Sequence, residues 1–315
     1  MSGPSGSCRA WAITLLLALF MLINFLDKIV LGLVAVPIMD KLQLSPKQFG
    51  DIGSGFFWLF DIGGVLGGFL ANRFRAGALI TAMALIWSVC QLPIAYTASI
   101  WTIIICRAVL GVAQGPAWPI AIHALANWFP NRERNLPISI VAQGSTVGLI
   151  AAGILIPSIS ATWGWRANFV ALAVIGCVWS LLGLAIADEG KLGRGEEAGS
   201  TSGVVTLPYA HLLFDRSVLG CAITHFVGYW SLALTLTWLP AYLQRGLAFD
   251  GIAAGWLYSC MAALMIPFGI VLAWRSERML QWGIPSRTAR GRYLSALLIA
   301  AGVLLVALYA SPSLD

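Results

Sequence analysis

Residues 11–39 read WAITLLLALFMLINFLDKIVLGLVAVPIM. The run is nearly all apolar and long enough to cross a bilayer as a helix, which takes about 20 residues. Asp27 and Lys28 stand side by side inside it. A charge at the centre of a bilayer costs about 2.5–3.5 kcal/mol on insertion scales, so two adjacent charges need partners or water. Asn24, Asp27 and Lys28 are spaced i, i+3 and i+4 and share one helical face. That polar stripe points to an ion or substrate path; the alternative is an internal ion pair with a neighbouring helix.

The rest of the chain extends this reading. Its 315 residues are 59% hydrophobic and 10% charged, with a mean hydropathy of +0.85. Nine spans are expected, at 11–39, 49–71, 77–97, 99–126, 136–159, 165–187, 217–243, 250–274 and 293–310. Long continuous apolar runs exclude a β-barrel, whose strands alternate. The fold class is an all-α polytopic membrane protein. The first span carries three polar groups and no clear cleavage site, so it is read as retained rather than as a signal peptide. The net charge of +6 does not indicate nucleic acid. With a cytoplasmic N-terminus, thirteen Lys and Arg fall in inside segments and four outside, while Lys28 and Arg107 complete the nineteen. The six cysteines have no metal-like spacing and read as small buried hydrophobes. Neither a metal nor a cofactor is expected.

The longest polar stretch follows the sixth span. It divides the chain into 1–187, a six-helix half, a cytoplasmic linker at 188–210, and three further helices at 211–315. A short repeat supports two related halves. Gly68-Phe-Leu-Ala-Asn72-Arg73 follows span two, and Ala273-Trp-Arg-Ser-Glu277-Arg278 follows span eight. Parallel six-span repeats are one transporter plan. On that plan three helices are missing after the ninth, so a truncated product or fragment is expected.

Several other spans carry polar groups. Span four holds Arg107 and Gln114 on one face. A guanidinium there suits a carboxylate, because its fork donates two parallel hydrogen bonds; the alternative is snorkelling to the surface. Gly111 and Gly115 read as packing residues. Asp61 in span two lies beside small-residue stripes, so it either handles a proton or bonds a neighbouring backbone. Gln143 in span five is either interhelical glue or a substrate contact. Tyr229, one turn from His225, is either core or cavity lining. Ionised together, Asp27, Lys28, Asp61 and Arg107 sum to zero. If all four share one cavity, an entering anion makes it negative and favours protonation of a carboxylate. Linkage makes that coupling reciprocal, which predicts proton–anion symport.

These segments resemble a known family. Gly68 to Gly77 is similar to the helix 2–3 loop signature of the major facilitator superfamily, and Arg107 to Pro116 to its helix-four motif. Asn127 to Arg134, and Gly164-Trp-Arg166 with Phe169, fit the next segments. Asn24-Phe-Leu-Asp-Lys28, Trp238-Leu-Pro-Ala-Tyr242 and Gly283 to Arg290 resemble its anion:cation symporter branch, which includes galactonate, hexuronate and phthalate carriers and sialin. The resemblance implies a twelve-helix fold with a site between two six-helix halves and rocker-switch access. It implies proton coupling by Asp27 and substrate contacts by Lys28, Arg107, Gln114 and Gln143, and a cytoplasmic gate at Gly68, Asn72 and Arg73. The reading of the spans themselves adds Asp61 as a further proton candidate and Asn24 and Tyr229 as substrate contacts, and the repeat adds Glu277 and Arg278 to the gate.

Three departures stand out. Lys28 replaces an Arg, Gln114 replaces a protonatable Glu, and Asn72 replaces the loop Asp. The expected function is secondary active transport of a small organic anion by a monomer in a bacterial inner membrane. Protons are the expected coupling ion, with sodium as the alternative. The competing reading is a non-transporting sensor or inactive remnant. An enzyme is not expected, because the three His are scattered and no catalytic motif occurs.

Overall fold

A computed structural model of the chain describes residues 8–71, 73–130, 133–186, 214–285 and 287–310. Among these residues there is helix and no strand. The helices are α1 (Cys8–Leu33), α2 (Ala35–Leu42), α3 (Pro46–Ala71), α4 (Ala76–Tyr96), α5 (Ile100–Gln114), α6 (Ala117–Ala126), α7 (Asn135–Trp163), α8 (Arg166–Ile186), α9 (Arg216–Arg245), α10 (Gly251–Gln281) and α11 (Tyr293–Ala310), with a π-turn at Arg287–Arg292. Eight segments, counting α5 and α6 together, are long and apolar enough to cross a membrane. α11 coincides with the ninth expected span. The protein is a multi-pass integral membrane protein.

Two expected spans are interrupted, and proline contributes to both breaks. In 11–39, Pro37 has no N–H to offer the Leu33 carbonyl, and α1 ends at Leu33. In 99–126, Pro116 offers none to Val112, and the Gly115-Pro116 pair separates α5 from α6. Pro93 and Pro157 lie inside α4 and α7 without dividing them, so proline alone does not set the break.

The described residues form two compact units. The first contains α1–α8 with Ala233–Ala262, and the second the remaining parts of α9 and α10 with α11. In the first unit α1 pairs with α7, α3 with α5, and α4 with α8. Lipid tails are as apolar as leucine side chains, so these pairs depend on close packing rather than on the hydrophobic effect. Glycine makes the approach possible. A Cβ on Gly144 would overlap the Ala18 carbonyl, and one on Gly111 the Phe56 carbonyl. Aromatic stacking ties α1 to α4 and α8: the Phe20 ring lies 4.7 Å from Trp87 and 5.0 Å from Trp179. Trp179 Nε1 also donates to the Leu16 carbonyl at 3.0 Å.

Ala233–Ala262 joins the first unit through specific contacts. Ser259 Oγ donates to the Ile150 carbonyl at 2.8 Å. Phe49 meets Trp238 edge-on at 5.5 Å, and Arg245 forms an ion pair with Asp40. In the second unit Ser276 Oγ donates to the Ala289 carbonyl at 3.0 Å. The expected linker at 188–210 lies outside the described residues.

Candidate anion and proton site

The polar stripe of α1 is buried. Asn24, Asp27 and Lys28 are 0%, 2% and 6% exposed. α5 presents Ile103, Arg107, Leu110, Gly111 and Gln114 on its buried side, which is one helical face. Arg107 is 1% exposed and Gln114 0%, so Arg107 does not snorkel to the surface. Five of the expected site residues therefore converge on the α1–α5 region, and the bonds show how.

Gln114 Nε2 donates a short hydrogen bond to Asp27 Oδ2. Arg107 Nη1 makes a long one, 3.4 Å, to the Asp27 backbone carbonyl. Neither cation forms an ion pair with the Asp27 carboxylate among the described residues. Both rest on aromatic faces instead. Lys28 Nζ lies 4.4 Å from the Phe25 ring centre and 4.5 Å from that of Phe60. Arg107 Cζ lies 4.5 Å from that of Phe56. Such contacts are worth about 0.5–2 kcal/mol each, and they leave the N–H groups available to an anion.

Hydrogen-bonding capacity is unmet here. Both side-chain atoms of Asn24, Oδ1 of Asp27, Nε of Arg107 and Oε1 of Gln114 are buried without a protein partner. Each such atom costs about 1–3 kcal/mol. A cluster of this kind is suited to a polar ligand.

The other expected residues lie elsewhere. Asp61 is exposed, one position along α3 from Phe60. The charge count over four groups is therefore taken here over the three buried ones. Asp27, Lys28 and Arg107 alone sum to +1 when ionised. Gln143 is exposed on α7, whose opposite side presses Gly144 and Gly148 onto α1. Tyr229 belongs to the second unit, half-buried, with its ring 5.3 Å from His225. Gly68, Arg73, Glu277 and Arg278 are exposed, and the Arg278 guanidinium lies 5.1 Å from the Trp274 ring. Asn72 lies outside the described residues. No group of three or more His, Cys, Asp or Glu able to hold a metal occurs among the described residues.

Sequence reasoning missed Gln91. It sits on α4, 1% exposed, with both side-chain polar atoms unpartnered. Trp87, one turn earlier, is 3% exposed with an unpartnered Nε1. A lone amide inside the apolar run 76–96 was the available signal.

Comparison with known proteins agrees with this architecture. The sequence profile described as Major Facilitator Superfamily matches residues 17–314. The hexuronate transporter of Bacillus subtilis (strain 168) is 29% identical over 247 residues, covering 76% of this chain and 58% of that protein. The chloroplastic ascorbate transporter of Arabidopsis thaliana is 25% identical over 296 residues, covering 90% and 54%. The chain thus spans about half the length of the curated relatives it matches. Among solved structures, a bacterial homolog of the human lysosomal transporter Spinster, inward-facing and unoccupied, superposes with a TM-score of 0.71 at 22% identity. The match covers 89% of this chain and 64% of that one. That likeness establishes the fold.

Proposed function

The chain belongs to the major facilitator superfamily, and on that premise we propose that it carries a small organic anion across a membrane by alternating access. The observation that carries the proposal is the buried cluster of two cations and one carboxylate, with donors left unmet. An anion entering it would meet Lys28, Arg107 Nε and Asn24 Nδ2. A carboxylate suits the guanidinium fork. The hexuronate and ascorbate transporters among its relatives support an organic anion. Gln143 is proposed as a further substrate contact, and Gly68 near the end of α3 with Arg73 just beyond it as part of a cytoplasmic gate.

Proton coupling is assigned to Asp27. It is the only carboxylate in the cluster among the described residues, because Gln114 stands where the galactonate-type carriers that the sequence resembles have a Glu. With a cluster charge of +1, a monoanion brings the site to neutrality without a proton, and a dianion brings it to −1. A dianion would therefore draw a proton onto Asp27 more strongly than a monoanion. Asp61 lies apart and remains only a candidate for a separate proton step. An inner bacterial membrane with a cytoplasmic N-terminus is the proposed setting, supported by the positive-inside bias.

The test begins with a thermal-shift screen of the purified chain against organic acids, since a binder stabilises the native state by mass action. Reconstituted uptake under imposed proton or sodium gradients then identifies the coupling ion. Stabilisation by no organic acid would refute the anion site. Binding without uptake would favour the sensor reading.

A further inference from the structure

Behind the anion site lies a small cavity of about 10 Å³ between α1, α4 and α8. Asp27, Trp87, Ser88, Gln91, Gly176 and Trp179 are among the residues lining it. Two of these have settled hydrogen bonds: Ser88 Oγ donates to the Ala84 carbonyl at 2.8 Å and Trp179 Nε1 to the Leu16 carbonyl. Four polar atoms of lining residues have none: Asp27 Oδ1, Trp87 Nε1, and Oε1 and Nε2 of Gln91. Asp27 thus has two sides. Oδ2 accepts from Gln114, and Oδ1 is buried without a partner in a residue that lines this cavity.

Size and polarity together select the occupant. A cavity needs about 10–15 Å³ of probe-occupied volume to hold one water, and that water needs two to four polar partners. A substrate anion is too large. A hard cation such as calcium or magnesium wants oxygen ligands throughout, softer metals want thiolate or imidazole, and Trp87 Nε1 can only donate. The four atoms offer two acceptors and two donors, which match the two hydrogens and two lone pairs of a single water.

We propose that Asp27, Trp87 and Gln91 hold one ordered water behind the anion site, and that Gln91 acts through it as a positioning residue for the Asp27 carboxyl. The water hydrogen-bonds Asp27 on the side away from Lys28 and Arg107, the charged groups facing Asp27 from α1 and α5, and so fixes the carboxyl orientation in which Asp27 takes up and releases its proton. The thiols of Cys90 on α4 and Cys106 on α5 are the other titratable groups nearby. The positioning role rests on the proton-coupling reading above; the water site does not.

Two measurements test it on the full chain. An experimental structure at a resolution that shows ordered waters should place one within hydrogen-bonding distance of Asp27 Oδ1 and Gln91. It should be absent from Gln91→Leu. A wild-type map with no water there overturns the site, as does one in which the water persists in Gln91→Leu. Reconstituted Gln91→Leu should carry at least tenfold fewer protons per anion than wild type, while anion-dependent thermal stabilisation stays within about twofold in ligand concentration. Trp87→Phe should behave alike and serves if Gln91→Leu misfolds. A proton-to-anion ratio unchanged in both variants overturns the positioning role. A wild-type ratio of zero would sink proton symport itself and leave the water site to the map.

Discussion

Replacing Gly111 by alanine sets two magnitudes against each other. Alanine is favoured over glycine in a helix by about 0.8–1.0 kcal/mol. Against that gain, a Cβ at Gly111 would overlap the Phe56 carbonyl oxygen. Gly115 faces the Phe60 carbonyl in the same way, Gly63 the Val112 carbonyl, and Gly67 the ring of Pro116. These obstacles are backbone or a rigid ring, so none can rotate aside. The α3 backbone must retreat by about 1 Å, and overpacking of this kind costs about 1–3 kcal/mol. The retreat also moves Phe56 from beneath Arg107. The expected net loss is about 0–2 kcal/mol, with weakened anion binding. Gly68 on α3 is the internal control, since a Cβ there meets nothing within 4 Å among the described residues. Gly68→Ala should be neutral or stabilising by up to about 1 kcal/mol. Thermal unfolding in detergent, followed by tryptophan fluorescence, reads both. If Gly111→Ala proves as stable as Gly68→Ala, the close α3–α5 seam is refuted.

Further outcomes follow from single contacts. Arg107→Lys keeps the charge but loses the fork; with charged hydrogen bonds worth about 1.5–3 kcal/mol, anion affinity should fall about 10- to 100-fold in a binding titration. Gln114→Glu places a second carboxylate against Asp27, and two carboxylates sharing one site retain a proton. Dye-reported proton uptake on anion binding should then differ from wild type, and an identical count would remove Gln114 from the proton site. Ser259→Ala deletes the bond to the Ile150 carbonyl and should cost about 0.6 kcal/mol, the average for such bonds in membranes; a loss above 2 kcal/mol would mean Ser259 does more. Asp40→Asn breaks a pair whose side chains are 64% and 45% exposed, so unfolding should shift by at most about 1 kcal/mol.

Some of the site was legible before any packing was known. The Asn24, Asp27 and Lys28 stripe, Arg107 and Gln114 stood out because a polar group in an apolar span is costly wherever it faces. Gln91 carries the same signal, yet it stood alone without a motif to draw attention to it. Asp61 shows the reverse case. It is as anomalous in sequence as Asp27, but its side chain is exposed, whereas Gly63 on the same helix packs against α5. The glycines of α3 looked alike until the fold pressed Gly63 onto α5 and Gly67 onto Pro116 and left Gly68 exposed.

Taken alone, the sequence determined that this chain enters a membrane and where its helices run, because hydropathy and length act segment by segment. It also identified which polar groups require an explanation. Only the tertiary structure decided who answers them. Asp27 bonds Gln114 across 87 residues of chain, and Lys28 lies over Phe60. Such meetings depend on how each helix is rotated about its axis and how closely glycine lets it approach. Those quantities belong to pairs of helices, and no single stretch of residues contains them.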